Sequence, residues 1–314
     1  MYIRKIVQSG LASFTVALPK EWIVKQKLDK GDIVYITETT EGVLISADQK
    51  QKKKIEQQVI LETAGKNERS LRRDIIGAYL NNVHQVTIKG NIAQYAKMIK
   101  ETESLLVGLE IIDEDAQKIV MRNFIHFEDM IPEQVIRRID NIVRSMILDA
   151  KNIHKDETLV EAIRLRDKTV NRFVFLLLKV IRAGTTDPSI ATQIKLNTAD
   201  ALIVWELIQH LEKIGDGIKR MGENIAIIVK KGKNTQDMQH ILDRTYELYL
   251  AAMKSYYQKH IESSDFVSSE RDKVNDLANT FIQKNNTVEG ASFASKIKGV
   301  LSHINDITRF ARYV

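Results

Sequence analysis

The chain begins with the stretch IRKIVQSGLASFTVALPKEWIVKQKLDKGDIVYITETTEGVLISA, residues 3–47. Its short alternating apolar runs predict strands, Ser9-Gly10 predicts a turn, and Pro19 favours the start of a short helix. The predicted strands span 4–8, 13–18, 33–37 and 42–46, the helix spans 20–27, and the last two strands form a hairpin across 38–41. Four short strands bury too little apolar surface to be stable alone, so we expect this segment to dimerise.

The order of an Arg-Lys pair, a glycine turn, LPKEW (18–22) and L-x-x-G-D (28–32) resembles the AbrB/SpoVT family of swapped-hairpin DNA-binding domains. The resemblance covers residues 3–47 and implies that two chains interleave into one barrel-like dimer that contacts DNA. The positions matching that role are Arg4, Lys5, Ser9, Ser13 and Lys20. Many members carry a Gly-Arg pair before the second strand, where this chain has Ser13-Phe14, so we expect backbone contacts of modest specificity.

Positive charge is concentrated in the same segment. Residues 1–54 hold ten Lys and Arg against six Asp and Glu, an excess of four in a chain whose net charge is +6. Such asymmetry is typical of a module that faces a polyanion, and each contacted phosphate adds a salt-dependent contribution to affinity. The alternatives are a solvated basic surface, or a module that serves only to dimerise the chain.

The composition excludes several classes of protein. With no cysteine, the chain forms no disulfide, thiolate metal site or cysteine nucleophile, which fits a reducing compartment. The N-terminus lacks a signal-peptide core, and apolar runs such as 173–178 are too short to span a bilayer, so we expect a cytoplasmic protein without membrane insertion. No G-x-S-x-G, P-loop or G-x-G-x-x-G is present, and we predict no enzymatic activity.

After a lysine-rich linker over 49–54, the pattern changes to that of a small α+β layer. Its predicted strands span 59–62, 83–90, 109–113 and 118–124, and its predicted helices span 67–82 and 93–106. The lone histidines His84 and His126 are expected to be packing or surface residues. The layer resembles the spacer of archaeal proteins that join an AbrB/SpoVT-like module to a helical half, and no chemistry is assigned to it.

Helical patterns fill the remainder of the chain, and they repeat. The predicted helices span 132–153, 157–182 and 189–231, then 237–261, 264–284 and 288–314. RDKTVN (166–171) corresponds to RDKVN (271–275), and LEKIGD (211–216) corresponds to LSHIND (301–306). We therefore predict two three-helix units related by duplication.

LEKIGD in a long third helix, with D-K-x-V-N on the preceding helix, resembles the PhoU family of phosphate-regulon proteins, over roughly residues 132–314. The resemblance implies tandem three-helix bundles and iron, zinc or other divalent ions at the Glu212-x-x-x-Asp216 pair. Carboxylates four residues apart leave one helix face and are able to share a hard cation. Further predicted oxygen ligands are Asp140 and Asp167, with His210 and Asp306 as weaker ones. The alternative for Glu212 and Asp216 is ion pairing with Lys213, Lys219 and Arg220.

Together these patterns predict a multidomain α+β fold. Its parts are an AbrB/SpoVT-like module over 1–50, a spacer over 55–128, and PhoU-like all-α units over 132–232 and 237–314. The leading functional hypothesis is a homodimeric, DNA-binding transcriptional regulator of phosphate uptake. The alternative is an adaptor that binds a phosphate transporter or a signalling protein, with the first module serving only dimerisation. A carboxylate-bridged metal enzyme is disfavoured because the helical half contains no Glu-x-x-His.

Overall fold

The computed structural model of the chain describes residues 2–39, 42–47, 57–127, 130–232 and 235–312. The chain divides into two compact units, Met1–Glu56 and Gln57–Val314. The first contains short strands and one short helix, and the second joins an α+β layer to a long helical part. The predicted multidomain α+β fold class is confirmed.

The first unit consists of two small antiparallel ribbons. Its elements are β1 (Val7–Ser9), β2 (Ser13–Thr15), α1 (Lys20–Lys25), β3 (Tyr35–Thr39) and β4 (Gly42–Ser46). β1 pairs with β2 and β3 pairs with β4. Gly10 has a φ of +80° in the turn between β1 and β2, a conformation that favours glycine.

The strands predicted over 4–8 and 13–18 are too long, because pairing is confined to the residues next to the turn. Among the described residues each ribbon has only two strands, and a two-stranded ribbon is marginally stable at best. Arg4 and Lys5 therefore precede β1. The turn predicted over 38–41 is also displaced: β3 continues through Thr39, and residues 40 and 41 lie outside the described residues.

The α+β layer closely follows its prediction. Its elements are β5 (Gln58–Glu62), α2 (Glu68–Leu80), β6 (Gln85–Lys89), α3 (Ile92–Glu103), β7 (Leu109–Glu114) and β8 (Lys118–Asn123). The sheet order is β5-β6-β8-β7, with β5 parallel to β6 and the other pairs antiparallel. Asn67 caps α2 by accepting a hydrogen bond from the Ser70 backbone at 2.9 Å.

The helical part contains two successive groups of helices. The first is α4 (Pro132–Asn152), α5 (Leu159–Thr186), α6 (Pro188–Gln193) and α7 (Thr198–Lys230), and the second is α8 (Gln236–Gln258), α9 (Ile261–Lys284) and α10 (Val288–Thr308). A 3-10 turn over Arg309–Arg312 follows α10. α7 packs along both α5 and α10, so the third helices of the two repeats lie side by side in one continuous apolar core.

The unbroken helix predicted over 189–231 is wrong, because the chain breaks between α6 and α7. Lys195 adopts a φ of +53°, and the Leu196 N–H donates to the Ala191 carbonyl, which ends α6 in the manner of a left-handed C-cap. Asn197 then starts α7 by accepting a hydrogen bond from the Asp200 backbone at 2.8 Å. The sequence signal was Asn197 itself, a preferred N-cap residue hidden inside an uninterrupted apolar period.

A fully buried lysine joins the α+β layer to the helices. Lys179 on α5 donates a hydrogen bond to the Tyr79 carbonyl on α2 at 2.8 Å, and its ammonium lies 4.4 Å from the centre of the Tyr79 ring. A buried ammonium is tolerated where such partners replace water. The spacer is thereby anchored to α5. Among the described residues, no helix has the length and apolar character required to cross a membrane.

Candidate functional site

The residues predicted to contact DNA are all exposed in the first unit. Ser9 and Ser13 face each other across the end of the β1–β2 ribbon, next to the Gly10 turn. Arg4 and Lys5 lie on the segment before β1, and Lys20 is the first residue of α1. Within the part of the chain that the structure describes, these three cations form no ion pair with an acidic side chain. They remain available to a polyanion.

The same unit exposes much of its apolar surface. Among its residues whose exposure is described, none is buried, and Ile3 and Phe14 are 81% and 69% exposed. Val16, two residues beyond Phe14, is 47% exposed as well. Exposed apolar side chains at this density are typical of a surface that another chain covers.

In the helical half, Lys219 lies between two of the predicted metal ligands. Its Nζ is 2.7 Å from Asp167 Oδ2 and 2.8 Å from Asp216 Oδ1. Burial opposes the charge on Lys219, but the two carboxylates outweigh it and raise the pKa of the lysine. Burial on its own would raise the pKa of Asp216. Lys219 and Arg220 outweigh it and lower that pKa, and the Arg220 guanidinium lies 2.8 Å from Asp216 Oδ2.

The other two predicted carboxylates also have basic neighbours. Asp140 is buried and accepts two hydrogen bonds from Arg144, one turn along α4, at 2.8 and 2.7 Å. Glu212 Oε2 lies 3.0 Å from Lys213 Nζ, an ion pair whose geometry is not that of a hydrogen bond. Arg144 was not singled out from the sequence, although its spacing of four residues from Asp140 is the usual signal for such a pair.

The ion pairs of Lys219 test whether a metal ion fits at the predicted carboxylate site. The ammonium of Lys219 occupies the place between Asp167 and Asp216 that a cation would take, so this arrangement does not fit an ion unless Lys219 moves. The contacts are those of the ion-pairing alternative, with the same three partners, Lys213, Lys219 and Arg220, that the sequence indicates. Metal binding at the Glu212–Asp216 pair stays a prediction.

A different cluster lies where α7 packs against α10. His210 Nδ1 is 3.2 Å from His303 Nδ1, and ligand atoms of His210, His303 and Asp306 all lie within 4.8 Å of one another. Phe310 packs beside the His210 ring, with ring centres 6.0 Å apart. Burial lowers the pKa of both histidines and outweighs the charge of Asp306, which acts in the opposite direction. The lowered pKa values favour neutral imidazoles.

The structure thus joins His210 and Asp306, the two weaker ligand candidates, and adds His303, which was not among them. His303 and Asp306 are three residues apart on α10 and so share a face. That spacing was readable in LSHIND, but the register that brings His210 of α7 opposite them was not. The close approach of the two helices is visible at Gly217, where an added Cβ would lie 2.6 Å from Val300 Cγ2.

The fold and these clusters define a multidomain α+β protein with a basic β module and a repeated helical half. No family model matches the sequence, and no curated protein matches it. Among solved structures, the crystal structure of PhoU from Pseudomonas aeruginosa is similar, with 15% identity and a TM-score of 0.44. The match covers 58% of this chain and 90% of that one. At these values the similarity assigns neither a family nor a function to the chain.

Proposed function

We propose that the chain is a homodimeric DNA-binding regulator of phosphate homeostasis. Its first unit would grip the DNA backbone, and its helical half would sense phosphate status through an ion or a protein partner. The phosphate assignment rests on the resemblance of LEKIGD and D-K-x-V-N to PhoU-family motifs, which lie on α7 and α5 here. The DNA assignment rests on the first unit.

One observation carries the DNA assignment: exposed cations and exposed apolar strands occur in the same small unit. A second copy of the chain would cover side chains such as Phe14 and leave Arg4, Lys5 and Lys20 in solvent. Dimerisation would also double the number of cations presented to one duplex, which raises affinity through release of counterions. With Ser13-Phe14 where many AbrB/SpoVT members carry a Gly-Arg pair, the contacts would go to phosphates more than to bases.

Replacing Arg4 and Lys5 together by glutamine is expected to weaken binding of the full chain to duplex DNA. Each phosphate contact contributes about 0.9 to the slope of log K against log salt, so loss of four contacts per dimer reduces the slope by roughly 3 to 4. Fluorescence anisotropy on a labelled promoter fragment across a salt series measures both effects.

The matched control is Arg69→Gln with Lys97→Gln, which removes one exposed arginine and one exposed lysine from the other unit. This control is expected to bind DNA as the wild type does. An unchanged slope in the Arg4 and Lys5 variant would reject the DNA assignment. If the wild-type chain instead captures a phosphate transporter or signalling protein and binds no DNA, the adaptor alternative holds.

A further inference from the structure

We infer that His210, His303 and Asp306 form a binding site for one late first-row transition metal ion, of the zinc class, that bridges α7 and α10. The site differs from the Glu-x-x-x-Asp pair on α7, since two of its three ligands are imidazoles and it draws on both repeats. The inference goes beyond the proposed function and does not depend on it, because its tests are made without DNA.

The separation of the two imidazoles fits a shared ion. Two nitrogen ligands at about 2.0–2.1 Å from a tetrahedral Zn²⁺ lie roughly 3.3 Å apart. His210 Nδ1 and His303 Nδ1 are 3.2 Å apart without any rearrangement of α7 or α10. Without an ion, the same distance suits one hydrogen bond, in which one neutral ring donates and the other accepts. Binding therefore requires one ring to carry its proton on Nε2 instead of Nδ1, with no net loss of a proton and little movement of the two rings.

Asp306 offers the third ligand, with a carboxylate oxygen within 4.8 Å of the histidine ligand atoms. Asp306 is half-buried, and its Oδ1 lies 3.1 Å from the Arg309 guanidinium. This ion pair is weak because the arginine side chain is largely exposed to water. The second carboxylate oxygen has its own lone pairs for an ion. Two imidazoles and a carboxylate favour Zn²⁺, Co²⁺ or Ni²⁺ over Mg²⁺ or Ca²⁺, which prefer oxygen ligands alone. With three protein ligands, one coordination position is left for solvent.

An ion held this way would connect the third helices of the two repeats. The ligands come from α7 of the first repeat and α10 of the second, close to the packing of Phe310 against His210. Because the ion binds the folded chain and the unfolded chain lacks the preformed site, it also raises the melting temperature. Metal would thus set how firmly the two repeats are held together.

The test uses the full chain without a histidine tag, stripped with chelator and titrated with Zn²⁺ by calorimetry and with Co²⁺ by visible absorption. We expect one ion per chain with a tetrahedral Co²⁺ spectrum. His303→Gln is expected to weaken binding at least about 100-fold, since even outer-shell changes cost 10- to 100-fold. Asp306→Asn is a second variant that leaves both rings in place and is expected to weaken binding as well.

Two controls separate this site from others. His240→Gln removes an exposed histidine of α8, and Glu212→Gln with Asp216→Asn removes the carboxylate pair of α7. Both are expected to bind one ion as the wild type does. Absence of binding by the wild type, unchanged binding by His303→Gln and Asp306→Asn, or loss only in the carboxylate variant would each overturn the inference.

Discussion

Replacing Lys219 by methionine is expected to lower the free energy of unfolding by about 3 kcal/mol. The substitution keeps most of the aliphatic side chain but removes the ammonium that Asp167 and Asp216 share. Asp167 has a side chain only 5% exposed, and its hydrogen bond from the Asn171 amide is a long 3.5 Å. A buried carboxylate left without its cation is costly because neither water nor protein then balances its charge.

The control for this prediction is Lys213→Met on the same helix. Lys213 is 55% exposed, and its pair with Glu212 is screened by water, so the change is expected to cost within about 0.5 kcal/mol. Denaturant unfolding of both variants measures the difference. Because the carboxylates raise the pKa of Lys219 above 10.5, its contribution is full at neutral pH and is lost only as the pH rises through that range. Equal stability of the two variants would contradict the ion-pair account.

Replacing Phe14 by aspartate is expected to convert the full chain from dimer to monomer at micromolar concentration. Burying a phenylalanine side chain is worth about 1.5–3 kcal/mol, and a symmetric dimer contains two copies of Phe14. Loss of both amounts to about 3–6 kcal/mol, which weakens association roughly 100- to 10,000-fold. The buried aspartates add a further desolvation cost.

Thr15→Asp is the matched control, because it adds the same charge at the neighbouring residue, whose side chain leaves the opposite face of β2. This variant is expected to remain dimeric. Analytical ultracentrifugation over a concentration series distinguishes the two outcomes. A Phe14→Asp chain that sediments as a dimer would show that this face does not form the dimer interface.

Much of the fold was predictable because local patterns and tertiary structure agree. Alternation and helical periodicity located the elements of the α+β layer, and Pro132 correctly marked the start of α4. The break before α7 escaped prediction because the apolar period continues through Lys195, whose left-handed backbone leaves no composition signal. In the first unit, strand length depends on what packs against the ribbon, which a single sequence does not specify.

The candidate sites were less predictable because they depend on contacts between distant helices. The pairing of Asp140 with Arg144 follows from local spacing, and so does that of Asp216 with Arg220. The bond from Lys219 to Asp167 and the meeting of His210 with His303 depend on how α7 packs against α5 and α10. Spacing within one helix therefore indicates the local ion pairs of a carboxylate, but it does not indicate its partners on other helices.

The salt dependence of DNA binding by the wild-type chain tests the central claim most directly. If two copies of the first unit each place Arg4, Lys5 and Lys20 against phosphates, six contacts give a slope of log K against log salt of about −5. The account predicts that slope, with two chains bound per duplex at saturation. Failure to bind duplex DNA at low salt, or an affinity that does not change with salt, would contradict it.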